Sequence, residues 1–430
     1  MGKLIAFGLV AVVAVDVWAS CGTGTASPFD GLSFDVPKVQ PCRELSQGDL
    51  KGVWLDGESW KGRPTKVFAY VILPRGASAE RKVPGMVLAH GGGGTAYPEW
   101  ARKWADRGYA VIVPDACGAI PVWAPGARWV SSGVGGPAGW GRVDLADEPV
   151  GDQWPYHAVG AVVRAHSYLR SLPEVDAERI GLTGVSWGGF LTMLTAATDR
   201  RFKFAAPVYA CGHYKEMMGL TDFYRKEFGT DETARRRLDR WCDLFDPLHY
   251  VPKIEMPLFW FASAGDKAFP FDTLQKTVAL PNAVPLMAVR VGMQHSHGAA
   301  GENMPELFRF ADHRLKGAAP LPQVGRPKVE GGIFSVGFDR RGNRLRRIDL
   351  IWCETSRPVY ETPWRIERHP VPEGDVLSVP VPPGARRVYA NFVLDLDLKG
   401  AYYPEALVSS PAWSAPDDAV EGLPKKELKK

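Results

Sequence analysis

The residues best suited to covalent chemistry lie in the stretch GVSWGG, Gly184–Gly189. An apolar run, Arg179–Thr183, precedes this stretch and a helical pattern follows it. A G-x-S-x-G motif between a strand and a helix predicts a sharp turn that exposes the serine hydroxyl. Small residues two before and two after the serine fit this turn, because larger side chains there would collide with neighbouring backbone. The pattern therefore predicts Ser186 as a nucleophile.

A nucleophilic serine needs a histidine that accepts its proton and a carboxylate that holds the histidine. Asp266 follows Gly265 after the predicted buried strand Pro257–Phe261, and we predict it as the carboxylate. The next predicted strand leads into MQHSHG, which contains His295 and His297. We favour His297 as the base because a glycine follows it, an arrangement common in hydrolases with this turn. His295 is then expected to support the loop or line the pocket.

The reaction would also need two backbone N–H groups that stabilise a developing oxyanion. The amide of Trp187, directly after the serine, is one predicted donor. The stretch HGGGG, His90–Gly94, should supply the other from Gly91 or Gly92, since glycine lets the backbone approach a substrate closely. His90 itself is expected to orient this loop. The Trp187 indole is expected to pack beside the pocket and limit the size of the acyl group.

The elements around these residues alternate between short apolar runs and helical patterns. This alternation predicts an α/β fold whose mostly parallel sheet is covered by helices on both faces, after a few antiparallel opening strands. The main predicted strands and helices are Val83–Ala89, Glu99–Gly108, Tyr109–Val113, Pro155–Leu172, Arg179–Thr183, Phe190–Thr198, Phe204–Tyr209, Pro257–Phe261, Leu286–Val291 and Pro305–Leu315.

Two long insertions interrupt this alternation. Residues 116–154 are rich in glycine, proline and tryptophan and follow the end of a strand, where α/β sheets bind ligands. Trp123, Trp140 and Trp154 are therefore candidate pocket residues, although the same rings would equally serve to pack the loop against the body. Residues 211–252 form the second insertion and are expected to cap the same pocket.

The chain changes character after the α/β part, which we assign to residues 41–319. Residues 320–328 read as a linker. Short alternating runs in residues 329–414 predict a small antiparallel β-sandwich, and Asp339–Asn343 predicts a hairpin turn between its first two strands. Residues 415–430 are polar and charged and are expected to form a flexible tail.

The N-terminus has the features of an export signal, predicted over residues 1–21. Lys3 precedes the apolar run Leu4–Val15, which is too short to span a bilayer comfortably. Small residues before Cys21 resemble a bacterial lipoprotein cleavage site, so a lipid on Cys21 is the one membrane attachment we consider. Residues 22–40 would form a tether, and the protein is expected to be periplasmic, anchored to the outer membrane or secreted.

Composition excludes several classes of function. Of 430 residues, 45% are hydrophobic and 23% charged, which is typical of a globular protein. The net charge of +4 comes without a basic, aromatic-rich stripe, so nucleic acid is not an expected partner. The six cysteines form no C-x-x-C pair, and no metal or redox cofactor is expected. A Cys211–Cys242 disulfide and buried free thiols both remain open.

Five stretches carry a resemblance to a known family. They are HGGGGTA (90–96), GVSWGG (184–189), PVYACG (207–212), GDKAFP (265–270) and MQHSHG (293–298). Across residues 50–316 the chain resembles the α/β-hydrolase superfamily, and within it the bacterial acetylxylan-esterase and dienelactone-hydrolase-related group, which shares its architecture with prolyl-oligopeptidase catalytic domains. The resemblance implies a carboxylic-ester hydrolase, often one that acts on decorated plant polysaccharides. Ser186 stands where dienelactone hydrolases proper use cysteine, and Trp187 where glucuronoyl esterases carry arginine.

We therefore expect an exported serine esterase that removes small acyl groups, acetyl above all, from a carbohydrate or another small ester. One alternative is an exopeptidase or acylaminoacyl-peptidase of prolyl-oligopeptidase type. Prolyl oligopeptidases usually carry a long propeller domain before the catalytic domain. The stretch between the predicted signal and the first predicted strands is too short for a propeller, which favours the esterase. The other alternative is a non-catalytic lipoprotein that binds glycans.

Overall fold

The computed structural model describes residues 27–124, 127–218, 229–281, 283–356 and 361–416. The predicted signal over residues 1–21, including Cys21, and nearly all of the predicted tail lie outside the described residues.

A nine-stranded sheet forms the centre of the first part of the chain. Its strand order is β1-β2-β3-β5-β4-β8-β9-β10-β11. The strands, with the separate hairpin β6–β7, are β1 Val39–Gln47, β2 Leu50–Asp56, β3 Lys66–Ile72, β4 Val83–Ala89, β5 Ala110–Pro114, β6 Ala119–Ala124, β7 Ala127–Ser131, β8 Val175–Val185, β9 Ala205–Val208, β10 Phe259–Ser263 and β11 Leu286–Arg290.

The pairing directions divide this sheet into two zones. Strands β1, β2, β3 and β5 pair antiparallel in that order, while β5, β4, β8, β9, β10 and β11 run parallel. The parallel strands are almost wholly buried, which explains why they are continuous apolar runs in the sequence. Because their carboxyl ends share one edge, the loops after β4, β8, β10 and β11 meet there.

Helices pack on the sheet as the sequence predicted. They are α1 Pro98–Ala105, α2 Trp154–Ser171, α3 Trp187–Thr198, α4 Tyr214–Met218, α5 Glu232–Phe245, α6 Phe271–Val278, α7 Ala299–Glu302 and α8 Pro305–Lys316. Helices α2 and α3 contact each other, while α1 and α8 meet through Trp104 and Phe308, whose ring centroids are 4.9 Å apart. Within the described residues, no helix combines the length and apolar character needed to cross a membrane.

Two antiparallel sheets follow the α/β part. One contains β12 Gln323–Val324, β13 Lys328–Glu330, β14 Ile333–Asp339 and β17 Val376–Pro380, and the other contains β15 Leu345–Cys353, β16 Arg365–His369, β18 Arg387–Leu394, β19 Leu407–Ser409 and β20 Trp413–Ser414. Phe338 and Phe392 join the two sheets with ring centroids 4.8 Å apart.

The turn Asp339–Asn343 does not close the predicted hairpin, because β14 and β15 belong to different sheets. Its side chains bond outside the turn: Asn343 donates to the Pro320 carbonyl oxygen at 2.9 Å, and Arg340 pairs with Asp375. The turn therefore carries the chain from one sheet to the other. A local turn signal cannot distinguish this crossing from a hairpin.

Two segments predicted to be connectors contribute to the packed structure. Phe29, within the predicted tether, is 1% exposed and its ring lies 5.5 Å from that of Tyr250. The stretch predicted as the linker over residues 320–328 supplies β12, which pairs with β14. The five cysteines that the structure describes, Cys211 and Cys242 among them, are free and buried.

Candidate active site

Ser186 occupies the sharp turn between β8 and α3. Its φ of 58° and ψ of −119° are strained for a residue with a side chain. A Cβ atom on Gly184 would lie 2.1 Å from the Gly188 carbonyl oxygen, and one on Gly188 would lie 1.9 Å from the Ala89 carbonyl oxygen. These contacts confirm why the turn needs glycine on both sides of the serine.

Ser186, His295 and Asp266 form a continuous hydrogen-bonded chain. The Ser186 Oγ lies 2.9 Å from His295 Nε2, and His295 Nδ1 lies 2.8 Å from the Asp266 carboxylate. The Asp266 side chain is fully buried and accepts the N–H groups of Ala268 and Phe269 at 2.8 and 3.0 Å. With Nδ1 donating to Asp266, His295 Nε2 is free to accept the serine proton.

The prediction that favoured His297 as the base is wrong in this geometry. His297 Nε2 accepts the Gly91 N–H at 2.8 Å, and Nδ1 lies 3.0 Å from Glu302 Oε1. Gly298, which suggested His297, has a φ of 82° at the start of α7 and donates its N–H to Glu302 at 2.9 Å. That glycine therefore serves the backbone turn and does not mark the base.

The predicted oxyanion donors fall into two groups. The Gly91 N–H is already taken by His297, which rules it out as a free donor in this geometry. The amides of Gly92 and Trp187 have no acceptor among the residues that the structure describes. A Cβ atom on Gly91 would lie 3.2 Å from Ser186 Cβ, so this loop passes directly beside the nucleophile. Gly92 and Trp187 are the remaining pair.

His90 contacts the glycine loop in the manner expected of an orienting residue. The ring is 1% exposed, and Nδ1 lies 2.9 Å from the Gly91 carbonyl oxygen. Its Nε2 accepts the Ala116 N–H at 2.9 Å. Since an amide N–H only donates, His90 is the tautomer with its proton on Nδ1.

Three buried side chains near the loop have the composition of a metal site. One atom each of His90, Asp115 and Cys117 lie within 4.8 Å of one another. The Asp115 carboxylate accepts the Thr95 hydroxyl and the Ala119 N–H, each at 2.8 Å. The Cys117 thiol and N–H also donate to this carboxylate, at 3.1 and 3.2 Å. With both ring nitrogens of His90 bonded to the backbone, a structural hydrogen-bond network accounts for the proximity of the three side chains.

The candidate pocket tryptophans differ in their placement. Trp154 is 1% exposed and donates its indole N–H to the Ala116 carbonyl oxygen at 2.8 Å, so its prediction as a pocket residue is wrong. Trp140 is partly buried, and its ring lies 3.7 Å from the position that a Gly92 Cβ would occupy. The side chain of Trp123 lies outside the described residues.

The Trp187 indole stands at the edge of an aromatic cluster. Its ring centroid lies 5.5 Å from that of Trp154, 5.9 Å from that of Tyr214 and 6.2 Å from that of Trp241. Tyr214 and Trp241 come from the insertion 211–252, which therefore packs behind Trp187. A Cβ on Gly92 would lie 2.7 Å from Trp187 Cδ1, which places the indole beside the glycine loop.

Sequence reasoning missed the residues that hold the two histidines. The Tyr209 ring stacks on His295 at 4.7 Å, and its hydroxyl donates to the Gln294 carbonyl oxygen at 2.6 Å. Burial raises the pKa of Tyr209, which keeps this donor protonated. Glu302 bonds His297 and is itself paired with Lys103 at 2.7 Å. Only the PVYACG stretch offered a signal, for Tyr209.

The chain is similar to two families of known hydrolases over overlapping segments. Two family models match, the prolyl oligopeptidase family over residues 148–316 and acetyl xylan esterase (AXE1) over residues 58–228. The chain is 27% identical over 248 residues to a probable dipeptidyl-peptidase 5 of Aspergillus terreus, which covers 54% of this chain and 31% of that protein. It is 25% identical over 245 residues to dipeptidyl-peptidase 5 of Aspergillus oryzae, with coverage of 54% and 30%. The chain thus spans about a third of the length of these curated relatives.

Among solved structures, the acetyl xylan esterase from Paenibacillus sp. R4 superposes with a TM-score of 0.52 at 21% identity, covering 65% of this chain and 88% of that one. This likeness shows the fold. The parallel sheet, the strained serine turn and the two family matches together give the chain an α/β-hydrolase fold and relate it to hydrolases of the serine type.

Proposed function

We propose that the protein is a serine esterase that removes small acyl groups, acetyl above all, from a carbohydrate. The observation that carries this proposal is the Ser186–His295–Asp266 chain, with bonds of 2.9 and 2.8 Å, beside two unoccupied amides. The match to the acetyl xylan esterase family supports the choice of substrate, since it spans both the glycine loop and Ser186.

The reaction follows from these positions. Ser186 Oγ attacks the ester carbonyl carbon while His295 Nε2 takes its proton, and the N–H groups of Gly92 and Trp187 stabilise the oxyanion. His295 then returns the proton to the leaving alcohol oxygen, which leaves an acyl-serine. Water, deprotonated by His295, attacks the acyl carbon and releases the acid and free Ser186. Asp266 holds the tautomer and stabilises the transient imidazolium.

A cavity that shares Trp140 with the surroundings of Gly92 supports a polar, hydroxyl-rich leaving group. It has a volume of about 270 Å³ and extends from Trp140 to Arg142, Asp144, Asp231 and Arg237. An aromatic face next to paired charged groups suits a sugar ring and its hydroxyls. A larger cavity of about 350 Å³ is lined by residues at the amino ends of β10 and β11, the opposite edge of the sheet, and we do not assign it to the substrate.

An exopeptidase of prolyl-oligopeptidase type is the second candidate. The prolyl oligopeptidase match over residues 148–316 contains all three members of the hydrogen-bonded chain, and the curated relatives are dipeptidyl-peptidases. The same nucleophile and base would cleave an amide by the same steps, so the substrate decides between the two candidates. A glycan-binding protein without catalysis is the third, and it would not need an activated serine.

One comparison tests all three candidates. The wild-type protein and Ser186→Ala are assayed with p-nitrophenyl acetate, acetylated xylan and a series of dipeptidyl p-nitroanilides. We expect release of acetate by the wild type and a loss of roughly 10⁴- to 10⁶-fold in Ser186→Ala. Faster turnover of the anilides would favour the peptidase. Equal background rates for both proteins, together with no labelling of Ser186 by a fluorophosphonate, would contradict any catalytic function.

We further propose that the protein acts outside the cytoplasm, on the basis of the N-terminal signal pattern in residues 1–21. Fractionation of the native host with an antibody against the protein tests this; recovery in the cytoplasm alone would contradict it.

A further inference from the structure

The glycine loop presents a physical problem to the proposed reaction. Four successive glycines follow His90, and glycine loses more conformational freedom on ordering than any other residue. An oxyanion donor, however, must be held in place before the charge develops. Something outside the glycines must therefore fix the orientation of the Gly92 N–H.

Two histidines bond the peptide groups on either side of Gly91. His90 Nδ1 lies 2.9 Å from the Gly91 carbonyl oxygen, and His297 Nε2 accepts the Gly91 N–H at 2.8 Å. The Gly91 carbonyl and the Gly92 N–H belong to one planar trans peptide and point in opposite directions. Fixing that carbonyl therefore fixes the direction of the Gly92 N–H.

The His297 ring is itself held from several sides. Glu302 Oε1 lies 3.0 Å from Nδ1, and the other carboxylate oxygen pairs with Lys103 of α1 at 2.7 Å. Tyr97 stacks on the ring at 4.2 Å, and Trp100 meets it edge-on at 5.5 Å. The charged carboxylate requires a proton on Nδ1, which leaves Nε2 as the acceptor for Gly91.

We propose that His297 is a positioning residue for the oxyanion hole. Its Nδ1 carries the proton that is donated to Glu302, and its Nε2 accepts the Gly91 N–H. Together with His90, this bond aims the Gly92 N–H at the reacting carbonyl oxygen. This inference rests on the proposed hydrolytic function of Ser186. It applies equally to an ester and to a peptide substrate, because both reactions form the same oxyanion.

The protonation state of His297 agrees with this geometry. Burial lowers the pKa of His297, and the nearby His90 and His295 lower it further. The hydrogen bond and charge of Glu302 act in the opposite direction but do not outweigh burial. Burial alone raises the pKa of Glu302, whereas the bonds from His297 and Lys103 bring the net pKa below its ordinary value. Neutral His297 beside ionised Glu302 is the resulting state at neutral pH.

Two substitutions at His297 separate its two hydrogen bonds. In His297→Gln, the side-chain oxygen reaches the position of Nε2 and can accept the Gly91 N–H. In His297→Asn, the amide replaces Nδ1 near Glu302 but leaves Gly91 without a partner. We expect kcat to fall by roughly 10- to 100-fold in the Asn variant, with little change in KM, because a misdirected donor costs less than a deleted one. The Gln variant should recover most of this loss.

The labelling rate of Ser186 by a fluorophosphonate provides a readout that does not depend on the substrate. Ser186 Oγ bonds to phosphorus as His295 accepts its proton and the P–F bond breaks to release fluoride, while the phosphoryl oxygen occupies the oxyanion hole. The labelling rates should follow the same order: wild type, Gln variant, Asn variant. If the wild type labels rapidly but hydrolyses no ester, the proposed substrate fails and the role of His297 is still tested. Equal labelling and kcat in folded Asn and wild-type proteins would overturn the inference.

A measurement on the unmodified protein guards against a variant that does not fold. The ¹⁵N chemical shifts of the His297 ring, assigned in the unmodified protein by through-bond correlation of the ring protons with the backbone, report which nitrogen carries the proton. We expect a protonated Nδ1 and an unprotonated Nε2 at pH 7. A proton on Nε2 at that pH would overturn the inference, because Gly91 would then face a second donor.

Discussion

At the scale of single residues, two histidines of similar local sequence have different environments. His295 lies between Ser186 and a buried carboxylate, with its side chain 27% exposed, as a base that must meet substrate requires. His297 lies against Gly91 and a second carboxylate, with its side chain only 14% exposed. The difference predicts distinct losses on substitution.

Replacement of His295 should remove catalysis almost entirely. In His295→Gln no group can accept the Ser186 proton, so kcat/KM for p-nitrophenyl acetate should fall by roughly 10⁴- to 10⁶-fold. Thermal unfolding of the variant reports whether the fold is kept. His369→Gln, in β16 of the C-terminal sheets, is the matched control and should retain full activity. Activity within tenfold of wild type in His295→Gln would contradict its assignment as the base.

Replacement of Trp187 should change the preference for acyl length. The indole lies beside the glycine loop, so Trp187→Ala opens space next to the oxyanion donors. The ratio of kcat/KM for p-nitrophenyl hexanoate to that for acetate should rise by about tenfold or more, given the value of apolar contacts in a pocket. Trp413→Ala, in the C-terminal sheets, serves as control. An unchanged ratio would remove the indole from the acyl site and leave the serine chemistry intact.

At the scale of elements, the site depends on how closely α3 approaches β4. The carbonyl oxygen of Ala89, the last residue of β4, occupies the space beside the Gly188 Cα. This approach brings the glycine loop after β4 next to the serine turn after β8. Glycine at position 188 thus determines both the packing and the distance between nucleophile and oxyanion donors.

A single methyl group at Gly188 should disrupt this junction. The Cβ of Gly188→Ala would stand 1.9 Å from the Ala89 carbonyl oxygen, and Ala89 is held in place by its pairing with Gly184 of β8. We expect a loss of roughly 3 kcal/mol or more in the free energy of unfolding, measured in urea. The control is Gly151→Ala, where nothing lies within 4 Å of the added atom. A loss as small as in the control would show that the turn is more pliable than its geometry implies.

At the scale of the whole molecule, the C-terminal sheets cover an edge of the central sheet. Strand β11 is the edge strand of that sheet. Without a cover, the N–H and carbonyl groups of Val289 that point away from the sheet would have no hydrogen-bond partner in it. The N–H donates to Ser409 Oγ at 2.8 Å, and Asn391 donates to the carbonyl at 2.9 Å. Tyr403 also donates to the Ala300 carbonyl oxygen at 2.9 Å, close to the histidine loop. The C-terminal sheets therefore protect the edge strand and support the segment that carries both histidines.

Removing this cover should destabilise the protein. Asn391→Leu leaves a buried carbonyl of β11 without a donor, which costs about 1 to 3 kcal/mol of unfolding free energy. Ser378→Ala removes an exposed hydroxyl from the same part of the chain and should cost much less. Both are measured by urea unfolding at constant pH. Equal stabilities would show that the side-chain bonds to β11 contribute nothing.

Buried histidines predict how stability depends on pH. Burial lowers the pKa of His157, His166 and His297 below the ordinary value of 6.5. Below pH 6.5 the unfolded chain therefore binds protons that the folded chain does not, and stability falls as the pH falls. Each such histidine changes the free energy of unfolding by up to about 1.4 kcal/mol per pH unit. His157→Gln should give a shallower slope between pH 7.5 and 5 in urea unfolding; an unchanged slope would contradict this origin.

Local patterns in the sequence were enough to predict the elements of the site and their order along the chain. Apolar runs specify the parallel strands because these strands are buried on both faces, and the glycines of the serine turn are required by local sterics. Ser186, Asp266 and the glycine loop follow directly from these local rules. The choice between His295 and His297, the loss of Gly91 as a free donor and the burial of Trp154 could not be derived in this way. Each depends on residues distant in sequence, as with Gly91 and His297, which are 206 positions apart. Such contacts follow from the folded arrangement of the chain, because a hydrogen bond depends on distance and direction in space.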